Sequence, residues 1–165
     1  MQQQRKKRPP SSKKRNDEPT AAARALRLLA RRDHTRLELQ RKLAPYVDDP
    51  AELQALLDDF TARDWLSESR AVDQLVHAKR GRFGSARIRQ ALIQKGVTED
   101  LIAPALASLK TTEQTAAREV WSRKFKSAPV TAAERAKQIR FLQYRGFSVD
   151  VALRVVRGGE GDDGE

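Results

Sequence analysis

The stretch Arg87-Ile88-Arg89-Gln90-Ala91-Leu92-Ile93-Gln94-Lys95-Gly96-Val97-Thr98-Glu99-Asp100 decides the fold, because fifty residues later the chain nearly repeats it. Leu142 stands where Leu92 stood, Arg145-Gly146-Phe147-Ser148 where Lys95-Gly96-Val97-Thr98 stood, and Asp150 for Asp100. A fixed period of this size marks a repeat array. The repeated phrase has a physical reading: a helix presents a leucine, ends on a Gly able to take the left-handed C-cap, and hands over to a Ser/Thr N-cap. The unit is helix, Gly turn, helix.

A third copy lies upstream. Leu39 and Leu43 sit forty-nine residues before Ile88 and Leu92, and Asp49-Pro50-Ala51-Glu52 replaces the Gly turn. There Asp49 reads as N-cap, Pro50 as the first helical residue and Glu52 as the third-position partner of a capping box. Three units follow, over residues 20–66, 67–110 and 111–157, flanked by a basic arm (1–19) and an acidic tail (158–165).

Apolar spacings of three and four run through the body, as in Leu53, Leu56, Leu57 and Phe60, and no segment alternates at period two. Thr35-Arg36-Leu37-Glu38 and Thr131-Ala132-Ala133-Glu134 have capping-box form, and Ser67 can cap the helix after Trp65-Leu66. Gly81, Gly84, Gly96 and Gly146 are stop signals, and Arg80-Gly81-Arg82-Phe83-Gly84 reads as a loop. The expected fold is all-α: three tandem three-helix units in an elongated, curved array. A unit of roughly 45 residues buries little on its own, so neighbours are expected to share apolar faces.

Composition narrows the function. Without cysteine there is no disulfide framework and no thiol nucleophile. No apolar run approaches the roughly 20 residues of a membrane span, and the N-terminus lacks the apolar stretch of a secretory signal, so a cytoplasmic setting is expected. Net charge is +11. Residues 1–18 contribute +5 and residues 158–165 contribute −4, which leaves +10 on the body. Both ends are poor in apolar residues and are expected to be disordered. A body this basic favours polyanions and acidic surfaces as partners.

Catalytic chemistry is thin. His34 sits at a helix junction and His77 within a helix, and neither has a third group or pocket to act with. No Gly run has phosphate-loop spacing. Asp48-Asp49 and Asp58-Asp59 read as a cap and a solvated helix face. No catalytic residue, metal or cofactor is expected. What remains is basic: Arg87, Arg89 and Lys95 on the middle helix of unit two, Arg135, Lys137, Arg140 and Arg145 on that of unit three, and Arg80 and Arg82 in the loop with Phe83. Recurrence across units suggests a stripe that tracks a polyanion or an acidic protein. Among the aromatics, Trp121 reads as core and Trp65 as a wedge between units one and two. Phe83 alone is a candidate for stacking.

These segments together resemble the RecX family of recombinase regulators. The resemblance rests on Ala25-Leu26-Arg27-Leu28-Leu29-Ala30 with Arg32-Asp33-His34-Thr35, Glu38-Leu39 with Arg41-Lys42-Leu43, and Trp65-Leu66-Ser67 with Arg70. It continues through Gly81 to Gly84, Arg87-Ile88-Arg89-Gln90 with Leu92, Lys95-Gly96-Val97, and Arg140-Phe141-Leu142 with Arg145-Gly146-Phe147. It spans about residues 20–157. The resemblance implies three tandem three-helix units and, as partner, RecA and its single-stranded-DNA filament. RecX-type proteins occupy the filament groove or its growing end and inhibit ATP hydrolysis, strand exchange and RecA-assisted repressor cleavage. A monomer with weak direct DNA contact is expected; the alternative is a helical DNA-binding protein with no recombinase partner. The chain departs from the family pattern twice. Ser85 follows Gly84 where the family often has Pro, with little change expected. Glu113 stands about where a Trp commonly opens unit three, so the junction of units two and three is expected to be looser or shifted.

Overall fold

A computed structural model describes residues 18–158 and is helical, with no strand among them. Nearly all of the basic arm and of the acidic tail, residues 1–17 and 159–165, lie outside the described residues. The helices are α1 (Ala21–Leu29), α2 (Arg36–Leu43), α3 (Pro50–Ala62), α4 (Glu68–Lys79), α5 (Ser85–Gln94), α6 (Glu99–Ala107), α7 (Glu113–Lys124), α8 (Ala132–Tyr144) and α9 (Val149–Gly158), with one 3-10 turn at Ala44–Tyr46. None is long and apolar enough to cross a membrane.

The start signals act as expected. Thr35 and Thr131 each form a complete capping box, with Glu38 and Glu134. Ser67 accepts the Arg70 amide, and Asp49 closes on the Ala51 amide at 2.8 Å rather than on Glu52. After the Gly turns, Ser148 caps α9 by accepting the Val151 amide, whereas the Thr98 side chain makes no cap bond on α6. Both turn glycines hold positive φ, +78° at Gly96 and +89° at Gly146, the region where a Cβ meets the following carbonyl.

Three apolar cores result, each drawn from three consecutive helices. The first centres on Leu39, Leu43 and Leu57, the second on Ile88, Leu92 and Ile102, the third on Leu142, Val155 and Val156. The closest helix pairs also fall inside these groups. The expectation that neighbours share apolar faces is therefore corrected: each unit closes its own buried core, and the units meet through helix-end hydrogen bonds with side chains of mixed character around them. One core residue escapes the apolar pattern. Gln138 stands fifty residues after Ile88 and is buried, accepting the Trp121 indole N–H at 2.8 Å, while Ile139 is only half-buried.

The joints use the middle helices end to end. At the first, the Thr35 hydroxyl at the start of α2 donates to the Lys95 carbonyl at the end of α5, 2.7 Å away, and Leu37 packs on Gly96. At the second, the Gly84 and Ala86 amides at the start of α5 donate to the Arg145 and Gly146 carbonyls at the end of α8, at 3.0 and 3.2 Å. Helix ends leave amides and carbonyls without intrahelical partners, and here the orphans of one helix satisfy those of the next. The positive end of one dipole meets the negative end of another. Since α5 receives α8 at one end and α2 at the other, units one and three flank unit two.

Trp65 is not the wedge between units: it is 43% exposed and lies edge-on to Phe60 of its own unit. Arg70 makes the cross-link instead, from α4 to Asp33 at 3.2 Å and to Asp64 at 2.9 Å. At the second joint Glu113 makes a direct contact. Its carboxylate accepts the Ser85 amide at 2.7 Å and caps α5 from the start of α7. Ser85 and Glu113 are therefore partners, and a Pro at 85 would have no amide to offer.

Candidate functional site

The basic candidates separate into groups once the helices are placed. Arg87 and Arg89 leave α5 on opposite flanks of buried Ile88, since residues two apart on a helix point about 160° apart. Arg89 turns to α6 and pairs with Glu99. Lys95 turns to the first joint and pairs with Glu38. Arg89 thus carries an acid partner on the surface and Lys95 one at the joint, whereas Arg80, Arg82, Arg87, Lys137, Arg140 and Arg145 form no ion pair among the described residues. Arg80 borders a separate groove with Thr112, Thr115 and Glu119.

The second joint draws the rest together. Arg82, Arg87 and Arg145 lie 5.8, 5.1 and 5.7 Å from the centroid of the Phe83 ring, and the Lys79 ammonium lies 5.2 Å from it. Arg87 also sits over Tyr144 at 5.3 Å and donates to the Tyr144 carbonyl at 3.1 Å. Arg145 also sits over Phe141 at 5.3 Å. Such distances are those of cation–π contacts. Beside this cluster is a pocket of about 190 Å³ lined by Arg82, Val120, Arg123, Lys124, Phe141 and Arg145. Arg123 and Lys124 come from the end of α7, and no repeat singles them out in the sequence. Along α8, Lys137, Arg140 and Tyr144 recur at helical spacing and are exposed, extending the basic surface away from the joint.

A second cationic surface lies on unit one, where Arg24, Arg27, Arg31 and Lys42 border a groove with Leu28, Leu43 and Tyr46. Its residues come from α1 and the turn after it, from α2 and from the 3-10 turn, and the capping pattern that places those helices gives no sign of it.

Titratable groups near the first joint serve the scaffold. Burial acts to raise the Glu38 carboxyl, but hydrogen bonds from Lys95, Arg32 and the Thr35 amide outweigh it and hold the group at about 2. His34 is 3% exposed, and its Nδ1 is 3.0 Å from the Arg32 carbonyl oxygen. Burial lowers its pKa. Of the acidic pairs, Asp49 caps α3, Asp58 meets Arg36 at 2.6 Å and Asp59 meets Arg63 at 2.9 Å. No cluster of three or more His, Asp or Glu able to hold a metal occurs among the described residues.

Fold and surface together define a tandem helical-repeat protein whose distinctive chemistry is a cationic, aromatic joint between repeats. Residues 67–106 match the family model for the second three-helix domain of RecX, and residues 111–156 match that for the third. The Regulatory protein RecX of Leptothrix cholodnii is 54% identical over 81% of this chain and 85% of its own length. That of Ralstonia nicotianae is 42% identical over 87% and 91%. The chain belongs to the RecX family. Among solved structures, RecX from Lactobacillus salivarius superposes with a TM-score of 0.70 at 17% identity, covering 85% of this chain and 94% of that one. A second regulatory protein RecX gives 0.72 at 21%, covering 82% and 70%. At those identities the structures speak for the fold.

Proposed function

We propose that this protein binds RecA and its single-stranded-DNA filament and restrains it, lowering the recombinase, ATPase and coprotease activities and so modulating DNA repair, recombination and the SOS response. The observation that carries the reading is 54% identity, over most of both chains, to a protein named for regulation. The acting species is a cytoplasmic monomer. Three in-line units with basic surface fit a groove walled by acidic protein and DNA phosphate, where complementary charge speeds and orients docking. Binding alone accounts for the effect, and no catalytic group is assigned. Arg82, Arg87, Arg145, Lys137 and Arg140 are the contact candidates this reading favours. Arg80 belongs to a side groove, and Arg89 and Lys95 support the fold.

RecA ATPase on single-stranded DNA, titrated with this protein, tests the reading. Inhibition far below one protein per RecA indicates end-capping, and inhibition near stoichiometry indicates groove occupancy. No inhibition at any ratio overturns it. The cationic, aromatic joint also favours a second reading, direct binding to DNA without a recombinase partner. Inhibition that persists at salt high enough to release the protein from naked DNA rejects this second reading, since phosphate binding falls steeply with salt.

A further inference from the structure

The two joints are built on one plan, but the first balances acid with base and the second gathers cations. An offset of forty-nine residues carries Thr35 onto Gly84 and Glu38 onto Arg87, and an offset of fifty carries Lys95 onto Arg145. At the first joint these positions hold an acid and a base in direct contact, Glu38 and Lys95. At the second they hold two arginines, with Arg82 and Lys79 completing four cations inside 5.8 Å of the Phe83 centroid. Among the described residues no carboxylate forms an ion pair with any of the four. Four like charges so close repel one another, and an anion from outside relieves that repulsion.

We infer that the second joint is an open anion site whose ligand is the phosphodiester backbone of single-stranded nucleic acid, held by Arg82, Arg87 and Arg145, with Tyr144 as the adjoining base platform. The first joint is the same site closed by its own carboxylate. Three features favour a phosphodiester over an acidic protein side chain. Guanidinium groups beside aromatic rings retain N–H donors for phosphate oxygens, and Arg87 does so beyond its one bond to the Tyr144 carbonyl. Tyr144 is 75% exposed among cations, the arrangement single-strand binders use for stacking a base. The surface then runs on through Arg140 and Lys137 and through Lys124, beside Arg123, which pairs with Glu119 at 3.6 Å, as tracking a repeating charge requires. The inference rests on the proposed function only for its setting in the filament.

Replacing Arg87 by Glu rebuilds the closed joint, placing a carboxylate opposite Arg145 as Glu38 stands opposite Lys95. Affinity of the full chain for a labelled oligothymidylate, measured by fluorescence anisotropy over a salt series, is expected to fall at least about tenfold in R87E, with a shallower salt slope. The thermal midpoint is expected not to fall. Y144A is expected to weaken binding about five- to tenfold, the loss of one stacked base. R63E, a charge-matched change on an exposed ion pair of α3, is the reference. If R87E and Y144A both bind within twofold of R63E, the inference is overturned. The failures are distinguishable: if R87E keeps oligothymidylate affinity but loses RecA ATPase inhibition, the joint receives acidic protein, and the proposed function survives without this inference. If R87E loses oligothymidylate affinity but retains inhibition, the site stands and RecA is met elsewhere.

Discussion

At the scale of single residues, the joints turn on a few atoms. Gly146 has φ +89°, and a Cβ there would collide with Arg87, while one at Gly84 would overlap the Gly146 carbonyl across the second joint. Ala at either position is expected to cost about 1–3 kcal/mol in urea unfolding, because neither backbone can move without opening the joint. Gly81 has open space around its Cα, so G81A is the near-neutral control. Glu38 gives a pH signature. Its folded pKa, about 2, lies below its ordinary 4.5, so the stability it contributes is complete above that ordinary value and is lost as pH falls toward 2. His34, lowered by burial, acts in the same direction below about 6.5, because the unfolded chain protonates it first. Urea midpoints between pH 7 and pH 3 are expected to decline, and E38Q is expected to flatten the part below pH 5. Much at this scale was legible in advance: Thr35, Thr131, Asp49 and Ser67 cap where their spacing says. Gln138 was legible only through the repeat offset, because hydrophobic periodicity passes over a buried amide.

At the scale of elements, α5 explains how two irregular residues coexist. Its first turn needs an acceptor for its free amides, and Gly84 has no side chain to supply one. Glu113, arriving from α7, provides it to Ser85. Replacing Glu113 with Ala is expected to cost about 0.5–2 kcal/mol, the usual value of a lost N-terminal cap. Pro is tolerated at the first helical position, so Ser85→Pro removes the amide without breaking the helix. The two changes share one bond, and their double-mutant cycle is expected to be non-additive, with E113A costing less in the S85P background. The same helix shows why its basic residues diverge. Sequence adjacency makes Arg87 and Arg89 look like partners, but helical geometry turns one to the aromatic joint and the other to Glu99.

At the scale of the whole molecule, three separate cores joined by end-to-end helix contacts form a line of units. A compact body of about 140 residues has a radius of gyration of about 14 Å. X-ray scattering of the chain with its arm and tail removed is expected to give a clearly larger value and an asymmetric distance distribution. Joints of this kind also predict loose coupling between cores. Substituting Leu142 with Ala in the third core is expected to destabilise unit three by about 2–5 kcal/mol while leaving amide exchange in unit one nearly unchanged. A uniform loss of protection through all three units would contradict separate cores.

The helices, their caps, the Gly turns and the three-fold repetition are all written in the order of residues, because those depend on local backbone preference and on periodicity within a few turns. That order also carried the family, through the succession and spacing of many weak motifs. Only the tertiary structure decided which cations are left without an acid. Glu38 meets Lys95 from fifty-seven residues away, and Arg87 and Arg145 reach the same Phe83 ring from positions fifty-eight residues apart, separations at which side-chain encounters follow from how helix ends dock and not from any local pattern. The repeat set both joints to one geometry, and the residue standing at one equivalent position, Glu38 or Arg87, made one of them closed and the other open to an anion.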